Sequence, residues 1–480
     1  MSGRDDSGSE QDPWAVSAQV NFVEEETGAA PALSPIRPRR GAGVKGQGGL
    51  LDSASRARTL GTLLLLVLTW PNEAAGASPE KSDSNPISAL AGHEIHLGLE
   101  ATIQLDMIHD FDAIGLNAGD GVPHEFVTSQ IPVGGPAAQF SNRTLFSPNQ
   151  SSLTLWASAP TRYGEARSRV VFNMTRDLFD TRFEVYKAIG EIGYLRLGLD
   201  YTLFLNQEAL PDTLDFEGPP VFAEARFAQA SLRFPVGRIG GDEENLFFLI
   251  GVEDAGAELT LPAAVENVGA TSQVPAVTGK LTYQAETMNV ELAGLYRRMS
   301  ARGDNAYDSK LNGWGLHLSG FVRFSPADKV MFAVLGGRGI AAYIDDTIGL
   351  NLDAAPVSYP NGGLRTVGLV GAWAGYERKW SRVLKSTATI SFLKASTDFI
   401  DRRFGPAYSP GTPTEFVGIF QETFYSSANL IWSPVRWLDT GVEYLYGHRK
   451  VAPGTSSYGS NEGHDSRIQF TIRLNFEYSR

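Results

Sequence analysis

Cysteine is absent from this 480-residue chain. Its absence excludes a disulfide framework, a thiolate metal site and a lipid-anchored N-terminal cysteine. Acidic residues outnumber basic ones, 54 to 41, and the formal net charge of −13 argues against a general nucleic-acid-binding role. Long hydrophobic runs are also missing, because the apolar run at 60–70 is shorter than the about 20 residues that a transmembrane helix needs. Any part of the chain that spans a membrane must therefore consist of strands.

Two further signals are missing. The seven histidines show no spacing typical of metal ligands. No glycine-rich phosphate-binding loop stands between a strand and a helix. The sequence therefore predicts no metal site and no cofactor.

The N-terminal region has the order of a secretory signal. Residues 1–55 show no sustained hydrophobic period and are interpreted as a disordered extension or a mis-assigned start. Residues 56–77 run from basic through apolar to a small-x-small end, which predicts a signal peptide cleaved after Ala77. Residues 78–94 are polar and predict a short periplasmic leader. The alternative for the apolar run is a buried helix.

Unbroken alternation dominates the rest of the chain. At 468–479 the apolar and polar residues alternate, and the same alternation runs through 95–107. Successive side chains of a strand point to opposite faces, so each segment has one apolar and one polar face. Such strands suit a soluble sheet packed on one side or a membrane β-barrel with lipid outside and water inside.

Fourteen further strands are predicted between these two, which gives about sixteen, an even number. They lie near 151–158, 165–174, 181–188, 194–204, 225–234, 246–253, 275–284, 287–297, 313–324, 329–340, 365–378, 382–395, 420–432 and 437–448. Their length of about 9–11 residues suits a tilted crossing of a bilayer.

The connections between these strands alternate in length. One set is short: 160–164, 190–193, 285–286, 325–329, 378–381 and 433–436, with 236–245 longer. The other set is long: 110–150, 205–224, 254–274, 298–312, 341–364, 396–419 and 449–465, with only 175–180 short. Short turns at one rim and long loops at the other are typical of an outer-membrane barrel. The fold class predicted is therefore all-β, a transmembrane antiparallel β-barrel of about 16 strands over 95–480, with short periplasmic turns and long extracellular loops.

Aromatic residues near the predicted short turns support this interpretation. They are Phe324, Trp380, Trp432, Trp437 and Tyr478. An amphipathic ring prefers the headgroup level of a membrane, so these positions predict an interfacial girdle. The alternative is that they are core aromatics.

A set of sequence segments points to one family. The segments are TLDFEGPP (213–220), RFAQASLRF (226–234), GWGLHLSG (313–320), GIAAYIDDTIGLNLDAA (339–355), GYERKWSRVLKSTATI (375–390), NLIWSPV (429–435) and GVEYLYGHR (441–449). Together they resemble the DcaP-like outer-membrane porins of Gram-negative bacteria. The resemblance covers roughly 95–480 and implies a 16-stranded trimeric porin that passes small, often dicarboxylic, anions. One departure is Ser151-Ser152, where the family often has an arginine.

Selectivity of such a pore depends on its narrowest section and the charges that line it. Alternation predicts an inward-facing arginine wall of Arg167, Arg169, Arg182, Arg196 and Arg233. Guanidinium groups bind carboxylates bidentately, so this wall would attract small anions. The loop at 205–224 carries the acids Glu208, Asp212, Asp215 and Glu217. If it folds into the lumen, these acids would face the arginines across a constriction; alternatively the arginines only pair with lumen acids such as Glu165, Glu184 and Glu291.

Three other functions are compatible with a barrel of this kind: an enzyme, a transporter for hydrophobic substrates and a closed structural barrel. His317 and Ser319 could form the pair of an outer-membrane phospholipase, but alternation directs both into the lumen, and Gly320 stands where that enzyme has asparagine. We therefore expect no enzyme activity. A transporter for hydrophobic substrates would need a plug and an apolar lumen, whereas the inward faces read as polar. A closed structural barrel has the same alternation as an open one.

The expected partners are outer-membrane lipid, small anionic solutes and two further copies in a homotrimer, with no nucleic acid.

Overall fold

A computed structural model describes residues 95–115, 125–176, 181–240, 245–261, 269–303, 308–358, 363–401, 418–456 and 458–479. The predicted extension, signal peptide and leader lie outside these described residues. The regular secondary structure of the described part is almost entirely strand. Its helical elements are short 3₁₀ turns at Thr128–Gln130, Ala137–Gln139, Gln207–Ala209, Ala341–Tyr343 and Asp345–Thr347. No helix in the described ranges has the length and apolarity to cross a membrane.

The described residues form twenty strands, of which the long ones lie in regions of period-two alternation. They are β1 His96–Asp110, β2 Arg143–Ser147, β3 Ser152–Thr161, β4 Gly164–Arg176, β5 Thr181–Ile192, β6 Leu195–Tyr201, β7 Arg226–Gly237, β8 Leu246–Glu253, β9 Gly269–Ser272, β10 Ala276–Gln284, β11 Met288–Arg302, β12 Asp308–Arg323, β13 Asp328–Arg338, β14 Ala354–Pro356, β15 Leu364–Thr366, β16 Gly368–Lys379, β17 Leu384–Ser396, β18 Phe420–Val435, β19 Leu438–Val451 and β20 Glu462–Ser479.

Sixteen of these strands close into an antiparallel barrel. Each pairs with the next in sequence, and β1 pairs with β20 from Gly98–Ser479 to Asp110–Arg467. The short strands β2 and β9 extend the sheet beside β1 and β11, and β14 and β15 form a separate hairpin. Every predicted strand corresponds to one barrel strand, so the predicted fold is confirmed. Because the strand number is even, β1 starts and β20 ends at the same rim, the rim of the short turns.

The outer face of the barrel is apolar. Alternate residues such as Ile103, Leu105, Leu318 and Val334 are 52%, 47%, 43% and 53% exposed, although their side chains are hydrophobic. The predicted girdle aromatics are also exposed, at 50% to 63%, and lie near the ends of strands at the short-turn rim. Large apolar side chains that face outward around the barrel suit contact with lipid.

Two sequence expectations need correction. The long loop expected at 298–312 is mostly strand, since β11 and β12 pair from Met288–Val322 up to Arg302–Asp308 and project beyond the neighbouring strands. Polar residues occupy both faces there, so the apolar period fades although the pairing continues. The inward faces are also less polar than alternation suggested. The inner wall of β11–β17 carries buried apolar residues: Ala293, Leu295, Met331, Ala333, Leu335, Leu369, Trp373 and Leu393.

The assignment of the outer face can be tested at Leu318, five residues from the short-turn end of β12. A strand rises about 3.3 Å per residue, so this position lies near the middle of a tilted crossing. Leu318→Arg should lower the free energy of unfolding in a bilayer by about 2–4 kcal/mol, since an arginine would enter the hydrocarbon core. Leu318→Ala is the size control. Equal losses for the two variants in denaturant titrations would contradict the lipid-facing assignment.

Candidate functional site

The loop between β6 and β7, residues 202–225, folds into the barrel; it is called the inward loop below. Its first part follows the inner wall of β10 and β11. The Lys280 ammonium donates to the carbonyl of Leu205 at 3.2 Å, and the Asn206 amide donates to Asn289 Oδ1 at 2.8 Å. These contacts hold the loop against the wall before it crosses the lumen.

The inward loop then reaches the far side of the barrel. Asp212 forms an ion pair with Lys385 on β17. Glu443 on β19 accepts hydrogen bonds from the backbone N–H groups of Leu214, at 2.5 Å, and Asp215, at 2.9 Å. Strands β17 and β19 lie across the barrel from β6, so the loop spans the bore.

A second loop, of which residues 339–358 and 363–367 are described, and the segment 125–131 also fold inward. Asp346 of the second loop accepts hydrogen bonds from the Ser129 N–H at 2.7 Å and from the Thr128 hydroxyl. It also accepts one from the hydroxyl of Thr423 on β18. Arg297 on β11 pairs with Asp353 of the second loop at 3.0 Å, and both side chains are buried. The inward segments are thus joined to each other and to the wall.

These segments cover the apolar inner wall. The Phe222 ring of the inward loop packs edge-on to Trp373 on β16 with centroids 5.0 Å apart. Glycine lets the backbones come this close, because a Cβ on Gly371 would lie 2.4 Å from Val221. At Gly447 it would lie 2.8 Å from Ile131 and Thr128. The lumen beside β11–β18 is therefore filled with side chains, and open space lies mainly along β3–β8.

Three cavities occupy that space. An extracellular cavity of about 710 Å³ is lined by the long-loop ends of β4–β7, the inward loop and the second loop. Two periplasmic cavities, of about 560 and 530 Å³, are lined by the short-turn ends of the same side of the barrel. Tyr186 and Glu191, both on β5, line the extracellular and the periplasmic side respectively. A hydrogen bond joins the Tyr186 and Tyr201 hydroxyls, and Lys187 lies 4.0 Å from the centre of the Tyr201 ring.

The structure places the arginines of the predicted wall on the lumen side, and most of them have acidic partners. Arg167 pairs with Glu165, Arg169 with Glu100 at 2.7 Å, Arg182 with Glu184 at 2.6 Å, and Arg196 with Glu191 at 2.8 Å and with Asp200. Arg233 differs: its guanidinium lies 3.9 Å from the centre of the Phe247 ring, with the amide oxygen of Gln284 at 3.4 Å. Arg167, Arg196 and Arg233 line one periplasmic cavity, Arg169 lines the other, and Arg182 lies at the extracellular end of β5.

The four acids of the predicted loop are separated from one another. Glu208 lines the periplasmic cavity that contains Arg167 and Arg233. Asp212 is held by Lys385, as described above, and Asp215 lies 3.7 Å from the buried Arg467. Glu217 lines the extracellular cavity. Only Glu208 therefore shares a cavity with arginines of the wall.

Sequence reasoning missed most residues of the extracellular cavity. Its lining includes Glu125, Glu224, Glu258 and Asp345, which come from four separate segments. Two signals were available in the sequence: Asp345 lies inside IDDTIG, part of a string that carries the resemblance, and Glu224 is the last residue of the loop expected at 205–224. The others become neighbours only when the loops fold inward, so their spacing in the chain carries no pattern.

The pair considered for an enzyme lies under the inward loop. His317 is hydrogen bonded to the carbonyl of Phe204, and both His317 and Ser319 are buried on the lumen side of β12. Neither faces the lipid, as alternation predicted. Within the described ranges, no group of three or more His, Cys, Asp or Glu residues has a geometry that could hold a metal ion.

Comparison with known proteins relates this barrel to outer-membrane channels. A family model described as DcaP outer membrane protein matches residues 175–476. The solved outer membrane channel DcaP of Acinetobacter baumannii is similar with a TM-score of 0.63 at 16% identity, covering 80% of this chain and 98% of that one. No curated protein matched.

Two further bacterial proteins of known structure show weaker similarity. An anion-selective porin from Comamonas acidovorans has a TM-score of 0.46 at 8% identity, covering 80% of this chain and 100% of that one. The trimer form of OmpT from Vibrio cholerae has the same TM-score and identity, with 80% and 99% covered.

The anchoring of the inward loop can be tested at Glu443. Glu443→Ala would leave the N–H groups of Leu214 and Asp215 without their acceptor, at a cost of about 1–3 kcal/mol. We expect noisier single-channel current and a lower unfolding temperature, since the loop loses its hold on the far wall. Glu462→Ala, at an exposed acid on β20, is the matched control. Quiet, wild-type current from Glu443→Ala would show that the loop does not depend on this contact.

Proposed function

This chain belongs to the DcaP outer membrane protein family, and we propose that it works as a passive diffusion channel for small hydrophilic solutes with a preference for organic anions such as dicarboxylates. The family and the closed barrel make it a porin of the bacterial outer membrane. The path proposed for solutes runs along β3–β8, where the described lumen has open cavities.

The preference for anions is supported by Arg233. Among the described residues, it has no carboxylate within ion-pair distance, whereas in the same cavity Arg167 has one and Arg196 has two. An unpaired guanidinium can bind a carboxylate through two parallel hydrogen bonds. The Phe247 ring beneath it adds a favourable cation–π contact without neutralising the charge. A small organic anion would therefore be drawn to this position in the periplasmic cavity.

A homotrimer is the assembly that we propose, in line with the resemblance. The β5–β6 junction supports it, since these strands pair only from Ala188–Leu199 to Ile192–Leu195. The part of β5 beyond Ala188 pairs with β4 alone. Backbone groups at membrane depth need partners, and a neighbouring subunit could provide them or shield the edge from lipid.

A transporter for hydrophobic substrates is the alternative. The apolar inner wall of β11–β17 fits it in composition, but that wall is buried beneath the inward loops. The polar cavities along β3–β8 suit hydrophilic solutes better.

The first experiment is conductance of the purified full-length protein in a planar bilayer with a salt gradient. Stepwise conductance is expected, in groups of three steps for the trimer, with an anion-selective reversal potential at low pH. A cation-selective reversal potential at every pH would retain the porin and overturn the preference for anions. Folded protein without conductance would favour the hydrophobic-substrate transporter or a closed barrel.

Charge reversal at Arg233 tests the proposed anion position. Arg233→Glu should shift the reversal potential towards cations, because it replaces the unpaired positive charge of the cavity by a negative one. Arg167→Glu with Arg169→Glu should shift it in the same direction, since Glu165 and Glu100 would lose their partners. Arg436→Glu, exposed in a periplasmic turn, is the control. The Arg233 assignment fails if its variant and the control have the same selectivity.

A further inference from the structure

The extracellular cavity is lined by an excess of carboxyl groups. Its acidic residues are Glu125, Glu184, Glu217, Glu224, Glu258 and Asp345, and Arg226 is the one basic residue in the described lining. Apart from Glu184, which is paired with Arg182, they come from inward-folded segments or loops. These acids are partly exposed, so they face the open space of the cavity.

Three of these carboxyl groups stand close together in the inward loop and the second loop. Glu217, Glu224 and Asp345 line the same part of the chain's extracellular cavity. The Asp345 Oδ2 atom is buried with no hydrogen-bond partner among the described residues. The arrangement brings several negative charges together without the basic partners that would fix them.

Burial and mutual repulsion both favour the protonated forms. Burial, followed by repulsion from Asp345 and Glu125, raises the pKa of Glu217 well above its usual range. Burial also raises the pKa of Glu224 to about 7, and that of Glu258 to about 7. For Asp345, burial and the charge of Glu224 raise the pKa well above its usual range.

The other charged groups around this cluster leave the excess of acid in place. Two more negative charges raise these pKa values further. Asp215 of the inward loop acts on Glu217 and Asp345, and Asp346 of the second loop acts on Asp345. The positive charges of Lys187 on β5 and Arg226 on β7 instead lower the pKa of Glu224. Arg226 stacks on the Tyr186 ring at 3.8 Å and donates to the Tyr186 carbonyl, while Lys187 lies 3.6 Å from Asp200. Lys187 is therefore paired with Asp200, whereas Arg226 keeps its positive charge, and the described lining holds this one cation against six acidic residues.

The periplasmic cavities have a different balance. Their basic residues are Arg167, Arg169, Arg196, Arg233 and Lys280, and their acidic residues are Glu100, Glu165, Glu191, Glu208 and Glu291. Four of the five cations are in ion pairs with these acids, so the charges largely cancel. A solute therefore meets an acidic compartment first and a balanced compartment second.

We propose that the carboxyl cluster of the extracellular cavity is a selectivity filter that titrates with external pH, a role that rests on the diffusion channel proposed above. At low pH its carboxyl groups are protonated and neutral, and organic anions pass to Arg233. As the pH rises, the groups ionise, the cavity becomes negative, and it repels anions while admitting cations. Residues Glu217, Glu224, Glu258 and Asp345 set this specificity.

The test is the reversal potential of the full-length channel under a salt gradient, between about pH 5 and about pH 8 on the loop side, a range that brackets ionisation of carboxyl groups with raised pKa values. The wild-type cation-to-anion permeability ratio should rise with pH. Glu217→Gln with Glu224→Gln should lose most of this rise and stay close to the wild-type ratio at low pH. Glu286→Gln with Asp398→Asn removes two exposed acids outside the described cavities and should keep the rise.

A second variant is needed in case the Glu217/Glu224 variant does not insert into the membrane. Glu258→Gln lies on a different loop and should reduce the rise by itself, with folding of each variant checked by heat-modifiable gel mobility. An equal pH response in wild type, the Glu217/Glu224 variant and Glu258→Gln would overturn the filter and leave the channel intact. A folded wild-type protein that never conducts would instead overturn the proposed channel.

Discussion

Closure of the sheet between β1 and β20 is the constraint on which the rest of the structure depends. A membrane offers no hydrogen-bond partners to an open edge, so the first and last strands must pair along their length. They do so from Gly98–Ser479 to Asp110–Arg467. Closure fixes the strand number and thereby the bore. The features that narrow the lumen of this barrel must therefore come from the segments that fold inside it.

The inward segments are held by one recurring device, a buried carboxylate that accepts hydrogen bonds from backbone N–H groups. Glu443 does this for the inward loop, and Asp353 does it for the N–H groups of Glu258 and Ala342. Glu253 accepts from the Leu203 N–H at 2.7 Å. A loop inside a barrel has no strand partners, and charge-assisted bonds of this kind satisfy its amides while also satisfying the buried charge. The wall strands thus position the loops as well as enclosing them.

The sequence was sufficient for the barrel because a period of two is a local property. Each strand could be recognised from its own residues, and alternation placed Arg167 and Arg233 on the correct face. Which loops fill the lumen depends on contacts between residues that are distant in the sequence, such as Glu443 and Leu214, which are 229 positions apart. Alternation likewise shows that Trp373 points inward but not that Phe222 covers it. For the same reason, Glu217 and Glu224 share a loop that the sequence marks out, while their neighbour Asp345 comes from a separate loop.

Charge counts along the chain therefore describe selectivity poorly, because a charge affects a solute only when it is both exposed to the path and free of a fixed partner. The arginine wall illustrates this: Arg167, Arg169 and Arg196 face the lumen, yet each is neutralised by an adjacent acid. Arg233 keeps its charge because its neighbours are a ring and an amide. In the proposed filter, the extracellular carboxyl groups are charged only when the pH is high enough to ionise them. We propose that selectivity in this barrel depends on two sets of groups in series, the titratable carboxyl groups of the outer cavity and Arg233 of the inner one, and that the outer set controls which solutes reach the inner one.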